Sequence, residues 1–265
     1  VNIFDIDNEC QPNSQGYDSL MYWPPLQEYY CNSDFVNYGY WEKGTINAKE
    51  AAENLIEKLL SFTPERKGKI LDVACGKGAT TRYLCKYYPP CNVIGINVSE
   101  RQLETCRKNV PECAFYLMDA VNIQFPDQSF DTIICVEAAF HFNTRQRFFE
   151  EAYRILKPGG QLVLSDILLT REAEDRRKFR YVENFVQNLE EYEHIIQNAG
   201  FHHSHIEDAT HACFHGAFWH LVDFSHTKLL HREMDSDSLH NFVKRVYEFV
   251  PEIRHYLLCY AKKHE

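Results

Sequence analysis

Apolar residues recur at helical spacing from Ala48 to Phe62, at Ala51, Leu55, Ile56, Leu59 and Leu60, and the pattern ends at the turn Pro64-Glu65-Arg66-Lys67-Gly68. A short apolar run follows at Ile70-Leu71-Asp72-Val73. Helical spacing resumes from Ala79 to Tyr87, so the intervening glycines join a strand to a helix. The alternation then repeats. Val93-Ile94-Gly95-Ile96 predicts a second strand, Ser99 a cap for a helix to Asn109, and Ala114-Phe115-Tyr116-Leu117 a third strand. Phe130 to Val136 predicts strand four and Arg145 to Leu156 a helix. Lys157-Pro158-Gly159-Gly160 stops that helix, and Gln161 to Ser165 predicts strand five.

Beyond Asp166 the pattern loosens into a charged, helix-compatible stretch around Arg171 to Tyr192, ending near Ala199-Gly200. Ser204-His205-Ile206 and His255 to Tyr260 supply two further strands, with a mostly helical insertion at about 210–250 between them. Strands separated by helices imply right-handed crossovers. The expected fold is therefore α/β: a doubly wound, mostly parallel seven-stranded sheet, Rossmann-like, with ligands at the carboxyl ends of its strands. Residues 1–45 lack periodicity and are rich in Tyr, Asn, Asp, Pro and Gly, so they read as an N-terminal cap or arm on a domain spanning 46–265.

A formal net charge of -10 over 265 residues argues against broad attraction to nucleic-acid phosphates or an anionic membrane. The ten cysteines are scattered without C-x-x-C spacing, and several, such as Cys135, sit in apolar runs. They read as reduced structural thiols. The start of the chain shows no basic segment joined to an apolar stretch, and no apolar run approaches the ~20 residues of a spanning helix. The expectation is a cytoplasmic protein with no membrane and no nucleic-acid partner.

The turn Asp72-Val73-Ala74-Cys75-Gly76-Lys77-Gly78 exposes backbone N–H groups with little side-chain bulk, so a ligand can approach closely. G-x-G alone is a weak signal. A dinucleotide-binding dehydrogenase would place a third glycine near Thr81 and needs no acid before the turn. The residues resemble class I S-adenosylmethionine-dependent methyltransferases, whose first motif is hydrophobic-Asp-x-x-x-Gly-x-Gly. The resemblance covers approximately residues 66–169. It includes Phe130-Asp131, Asp119-Ala120 and Ala152-x-Arg154-x-Leu156-Lys157-Pro158-Gly159-Gly160. It implies S-adenosyl-L-methionine as cofactor, with Asp119 accepting from the adenine amino group and the backbone of Ala74, Cys75, Gly76 and Gly78 beside the amino-acid end.

The end of strand two usually presents an acid to the ribose, and here it presents Asn97, an amide that can still hydrogen bond. The string Gly95-Ile96-Asn97-Val98-Ser99-x-x-Gln102 resembles the subgroup acting on natural-product sugars, tocopherols and related small molecules. There the glutamine helps hold the ribose. Asn37-Tyr38-Gly39-Tyr40-Trp41 is similar to that subgroup's N-terminal signature, which would close Tyr38 and Trp41 over the sulfonium. A hydrophobic arm packed on the domain is the alternative reading of this cluster.

Val136-Glu137-Ala138-Ala139-Phe140-His141 lies where substrate should meet cofactor. His141 is the expected general base for an alcohol acceptor, with a packed structural histidine as the alternative. The resemblance supports this role and places Asp166 at a second polar position facing the pocket, to orient the acceptor or assist the base. A helix cap or surface acid is the competing reading of Asp166. Glu137 is expected to line the cofactor pocket. His211, His215 and His220 lack any H-E-x-x-H pattern or paired carboxylates, so no metal is expected. The sequence thus points to O-methylation of a small hydroxylated metabolite. N- or C-methylation and a non-catalytic cofactor-binding module stay open, and neither the acceptor nor the oligomeric state is legible.

Overall fold

The computed structural model describes residues 15–177 and 181–265. Residues 1–14 of the expected cap, and 178–180 within the expected charged helical stretch, lie outside the described residues. At the centre are β1 (Ile70–Val73), β2 (Val93–Asn97) and β4 (Phe130–Val136), with β1 paired in parallel to both. β3 (Ala114–Leu117) extends one edge beside β2, and β5 (Leu156–Leu169) runs parallel to β4. β7 (Ile253–Lys262) is antiparallel to both β5 and β6 (His203–Asp208), so the sheet order is β3-β2-β1-β4-β5-β7-β6. All four residues of β1 are buried, as a parallel strand covered on both faces requires. The strand order reverses between β1 and β4, and the crevice there opens at their carboxyl ends.

The helices α1 (Gln15–Met21), α2 (Pro24–Tyr29) and α3 (Ala48–Ser61) precede β1, and α4 (Ala79–Leu84), α5 (Glu100–Asn109), α6 (Arg145–Ile155), α7 (Arg171–Arg176) and α8 (Leu189–Asn198) lie between later strands. Asn47 caps α3 by accepting from Glu50 N–H at 2.9 Å, and Glu50 reaches back to Ile46 N–H at 2.8 Å. The apolar stripe read from the sequence, Leu55, Ile56, Leu59 and Leu60, is completely buried. Each such side chain contributes about 1.5–3 kcal/mol relative to exposure. The stretch after Arg171 is broken into α7 and α8 rather than continuous, and β5 is longer than the expected Gln161–Ser165. Beyond Ser165 the added length is paired with β7, whose register runs from Gln161↔Lys262 to Leu169↔Ile253, and at the other end Leu156 pairs with Phe130 of β4.

Between β6 and β7 the expected insertion consists of a π-helical turn, His211–His215, then α9 (Gly216–Leu230) and α10 (Ser236–Phe249). It meets the N-terminal segment directly. Tyr29 packs edge-on to Phe224 with centroids 5.4 Å apart, and the Trp41 ring lies 4.4 Å from that of His220. A glycine is required at 216, because a Cβ there would come within 2.5 Å of Trp41. No helix among the described residues is long and apolar enough to cross a membrane.

Candidate active site

The turn after β1 is held from both sides. Cys75 N–H bonds to Ile96 O at 3.0 Å, and the buried Asp72 carboxylate accepts from Thr81 Oγ1 at 2.6 Å. Burial pushes Asp72 up to about 7, against the lowering effect of the Thr81 bonds. Ala74, Gly76 and Gly78 all take positive φ, of 58°, 54° and 86°, and Gly78 N–H closes the turn on Cys75 O at 2.9 Å. Gly78 also caps α4 without a side chain.

At the end of β2, Asn97 is fully engaged. Its Nδ2 donates to Gly76 O at 3.2 Å and to Gln102 Oε1 at 2.9 Å, while its Oδ1 accepts from the Val98 and Ser99 amides. Gln102 N–H in turn bonds to Ser99 Oγ at 3.2 Å, which caps α5. Val98 is 56% exposed, an apolar surface suited to a flat ring. Asp119 sits in the exposed turn after β3, accepting from Val121 N–H at 3.1 Å, with Ala120 buried beside it.

Glu137 follows β4 with φ 50°. Its Oε1 accepts from Tyr256 OH at 2.5 Å and from Tyr38 N–H at 2.7 Å, which ties the N-terminal segment to the crevice. Burial pushes this carboxyl up to about 8, against the lowering effect of those two bonds. One residue before Tyr38, the buried Oδ1 of Asn37 has no hydrogen-bond partner. The Tyr38 ring packs against Phe214 and Tyr256, whereas Trp41 Nε1 donates to Tyr38 O at 2.8 Å and its ring covers Gly216 and His220. Trp41 therefore fastens the segment to the insertion. The indole packs closely on Gly216, where a Cβ would come within 2.5 Å of it.

His141 lies in the short turn after β4, where the sequence places it. Arg177 Nη2 is 2.7 Å from Nδ1. A guanidinium only donates, so Nδ1 is the unprotonated nitrogen and the ring proton is on Nε2. Burial first, then the charges of Arg177 and Arg145, hold this imidazole well below the usual histidine range, and it is neutral.

Asp166 departs from expectation. It is 0% exposed, and accepts from Arg145 Nε at 2.6 Å, Arg145 Nη2 at 3.3 Å, Tyr192 OH at 2.9 Å and its neighbour Ile167 N–H at 2.8 Å. Arg145 is itself 4% exposed and bonds also to Ile167 O and to Asn184 O. Both carboxylate oxygens are thus consumed inside the protein, and Asp166 is neither a surface acid nor a group facing the pocket. Arg145 and Arg177 were not singled out as site residues from the sequence, since no local spacing announces contacts that span 21 or 36 positions.

The donor set fits an adenosyl cofactor. The glycines of the turn allow close approach of its carboxylate end to the backbone, Asn37 Oδ1 and Glu137 offer acceptors to an ammonium, and Val98 offers an apolar platform. The family model described as a methyltransferase domain matches residues 71–164. Methyltransferase GfsG of Streptomyces halstedii is 32% identical over 185 residues, covering 63% of this chain and 66% of that one. The 27-O-demethylrifamycin SV methyltransferase of Amycolatopsis mediterranei is 29% identical over 189 residues, covering 66% and 69%. The chain thus spans about two thirds of the length of these relatives. Phosphoethanolamine N-methyltransferase 2 of Haemonchus contortus, solved with S-adenosyl-L-methionine, shares the fold with a TM-score of 0.73 at 19% identity, over 100% of this chain and 60% of that one. With its glycine turn, its sheet order and its matched domain, the chain belongs to the class I S-adenosylmethionine-dependent methyltransferases.

Proposed function

We propose that this protein transfers a methyl group to a hydroxyl of a small specialised metabolite with a largely apolar scaffold. The observation that carries this reading is an apolar pocket between the N-terminal segment and the insertion, lined by Leu26, Tyr29, Tyr38, Phe214, Phe218 and Phe249 among others. Tyr38 belongs both to this pocket and, through its N–H, to the Glu137 contact at the strand ends. The rifamycin relative, by its name, acts at an oxygen of a natural product. The cofactor, when bound, supplies a methyl group on a positively charged sulfur, already activated for displacement.

The same reading assigns a part of the site to each residue. Asp72, Ala74, Cys75, Gly76 and Gly78 receive the amino-acid end with Glu137 and Tyr38, and Asp119, Ala120 and Val98 receive the adenine. Asn97 and Gln102 hold the turn and the start of α5 in register. The acceptor oxygen gains a bond to carbon as the carbon–sulfur bond breaks, and its proton must leave. His141 takes that proton at Nδ1 once Arg177 releases it. A weak base suffices, because an alkylated hydroxyl is strongly acidic. The Arg177 bond favours a second role, in which Nε2–H orients the acceptor oxygen and the proton goes to solvent.

Labelled S-adenosylmethionine offered with a panel of hydroxylated metabolites tests the function, and cofactor binding without methylation of any of them would overturn it. His141→Ala should lower turnover by roughly 10²- to 10⁴-fold with unchanged cofactor affinity. His141→Gln separates the two roles. Its amide donates but cannot serve as the base, so recovered turnover supports orientation and persistent loss supports proton removal.

A further inference from the structure

We propose that Asp18, on α1 in the N-terminal segment, is the carboxylate that receives the ribose hydroxyls, in place of the acid missing at the end of β2. The sugar of an adenosyl cofactor is held at that strand end in doubly wound folds, by an acceptor for its two hydroxyl protons. Asn97 stands there, and all of its hydrogen-bonding capacity toward the site is used in holding Gly76 O, Gln102 Oε1 and the Val98 and Ser99 amides. Gln102 is committed too, with Oε1 accepting from Asn97 and Nε2 donating to Asp18 Oδ1 at 2.8 Å.

Asp18 ends this chain of bonds. Its Oδ1 accepts from Gln102 Nε2 and from Ser99 Oγ at 2.7 Å, across 84 and 81 positions of sequence, and the residue is 8% exposed. Those bonds fix the carboxylate in one orientation and leave Oδ2 as the acceptor that the polar groups around Asn97 otherwise lack. The rest of the segment is anchored over the same place. Met21 Cε lies 2.9 Å from where a Cβ on Gly76 would be, and Tyr22 OH bonds to Arg101 O at 3.1 Å with its ring 4.1 Å from the Arg101 guanidinium. A buried carboxylate held by two donors at a sugar site is a charge-assisted acceptor, stronger than the amide it stands beside. The N-terminal segment thereby becomes part of the cofactor site rather than a cover on the acceptor pocket alone.

Calorimetric titration of S-adenosylhomocysteine and of its 2′,3′-dideoxy analogue tests this without any methyl acceptor, so the outcome is independent of the acceptor reading. Asp18→Asn keeps an oxygen for Ser99 and Gln102 and replaces only the free acceptor with a donor, which preserves the anchoring of α1. The wild-type protein should prefer the parent ligand by about tenfold or more. Asp18→Asn should bind the parent about tenfold more weakly and discriminate between the two ligands by no more than about twofold. Unchanged discrimination in Asp18→Asn would overturn the proposal. Equal weakening of both ligands would overturn it as well, since that is the signature of a residue that only packs the helix.

Discussion

Removing the Asp166 carboxylate leaves a guanidinium stranded in the protein. Arg145 is 4% exposed and its Nε, 2.6 Å from Asp166 Oδ2, has no alternative acceptor among the described residues. The nearby carbonyls of Ile167 and Asn184 satisfy other N–H groups of the same side chain but carry no charge. Breaking one side of a buried pair costs about 3–5 kcal/mol, and for a domain of this size that corresponds to a fall in Tm of roughly 6–20 °C. Asp166→Ala should show this fall by scanning calorimetry. Arg145→Met combined with Asp166→Leu should recover most of it, because replacing both charges by apolar groups removes the stranded ion. The acceptor-orienting role expected from the sequence makes a different forecast: reduced turnover at an undiminished Tm. An Asp166→Ala protein with wild-type Tm would refute the burial argument.

Glu137, pushed up to about 8 by burial, keeps its proton in the folded protein over a range where the unfolded chain, with its glutamate near about 4.3, releases it. The folded state therefore binds more protons, and stability of the cofactor-free protein should fall as pH rises from about 4.3 to 8, then level off. Asp72, raised to about 7, adds in the same sense. Glu137→Gln should flatten the decline of Tm between pH 5 and 8, and an unchanged slope would show that Glu137 is ionised across that range. Gly216→Ala places a methyl group 2.5 Å from Trp41 and should destabilise by about 1–3 kcal/mol, read as a lowered denaturation midpoint. Trp41→Ala combined with Gly216→Ala should lose most of that added penalty, because the two residues share one contact.

The sequence by itself determined the alternation of strands and helices, the glycine turn, and the placement of His141 after β4. Each of these is written in neighbouring residues: a period of 3.6 or a continuous apolar run, a pair of glycines where the chain needs positive φ, a short loop after a strand. Tertiary structure alone decided what the polar residues do. Asp166 and His141 stand where the pattern puts them, but Arg145 and Arg177 arrive from α6 and from beyond α7, and take one carboxylate and one ring nitrogen. The N-terminal segment shows the same division. Its helices have seven and six residues, too short to leave a periodic signature, and Asp18 acquires meaning only because folding brings it to Ser99 and Gln102. A hydrogen bond or ion pair is a property of where two groups meet, and for these residues that meeting is set by the sheet order, not by anything local in the chain.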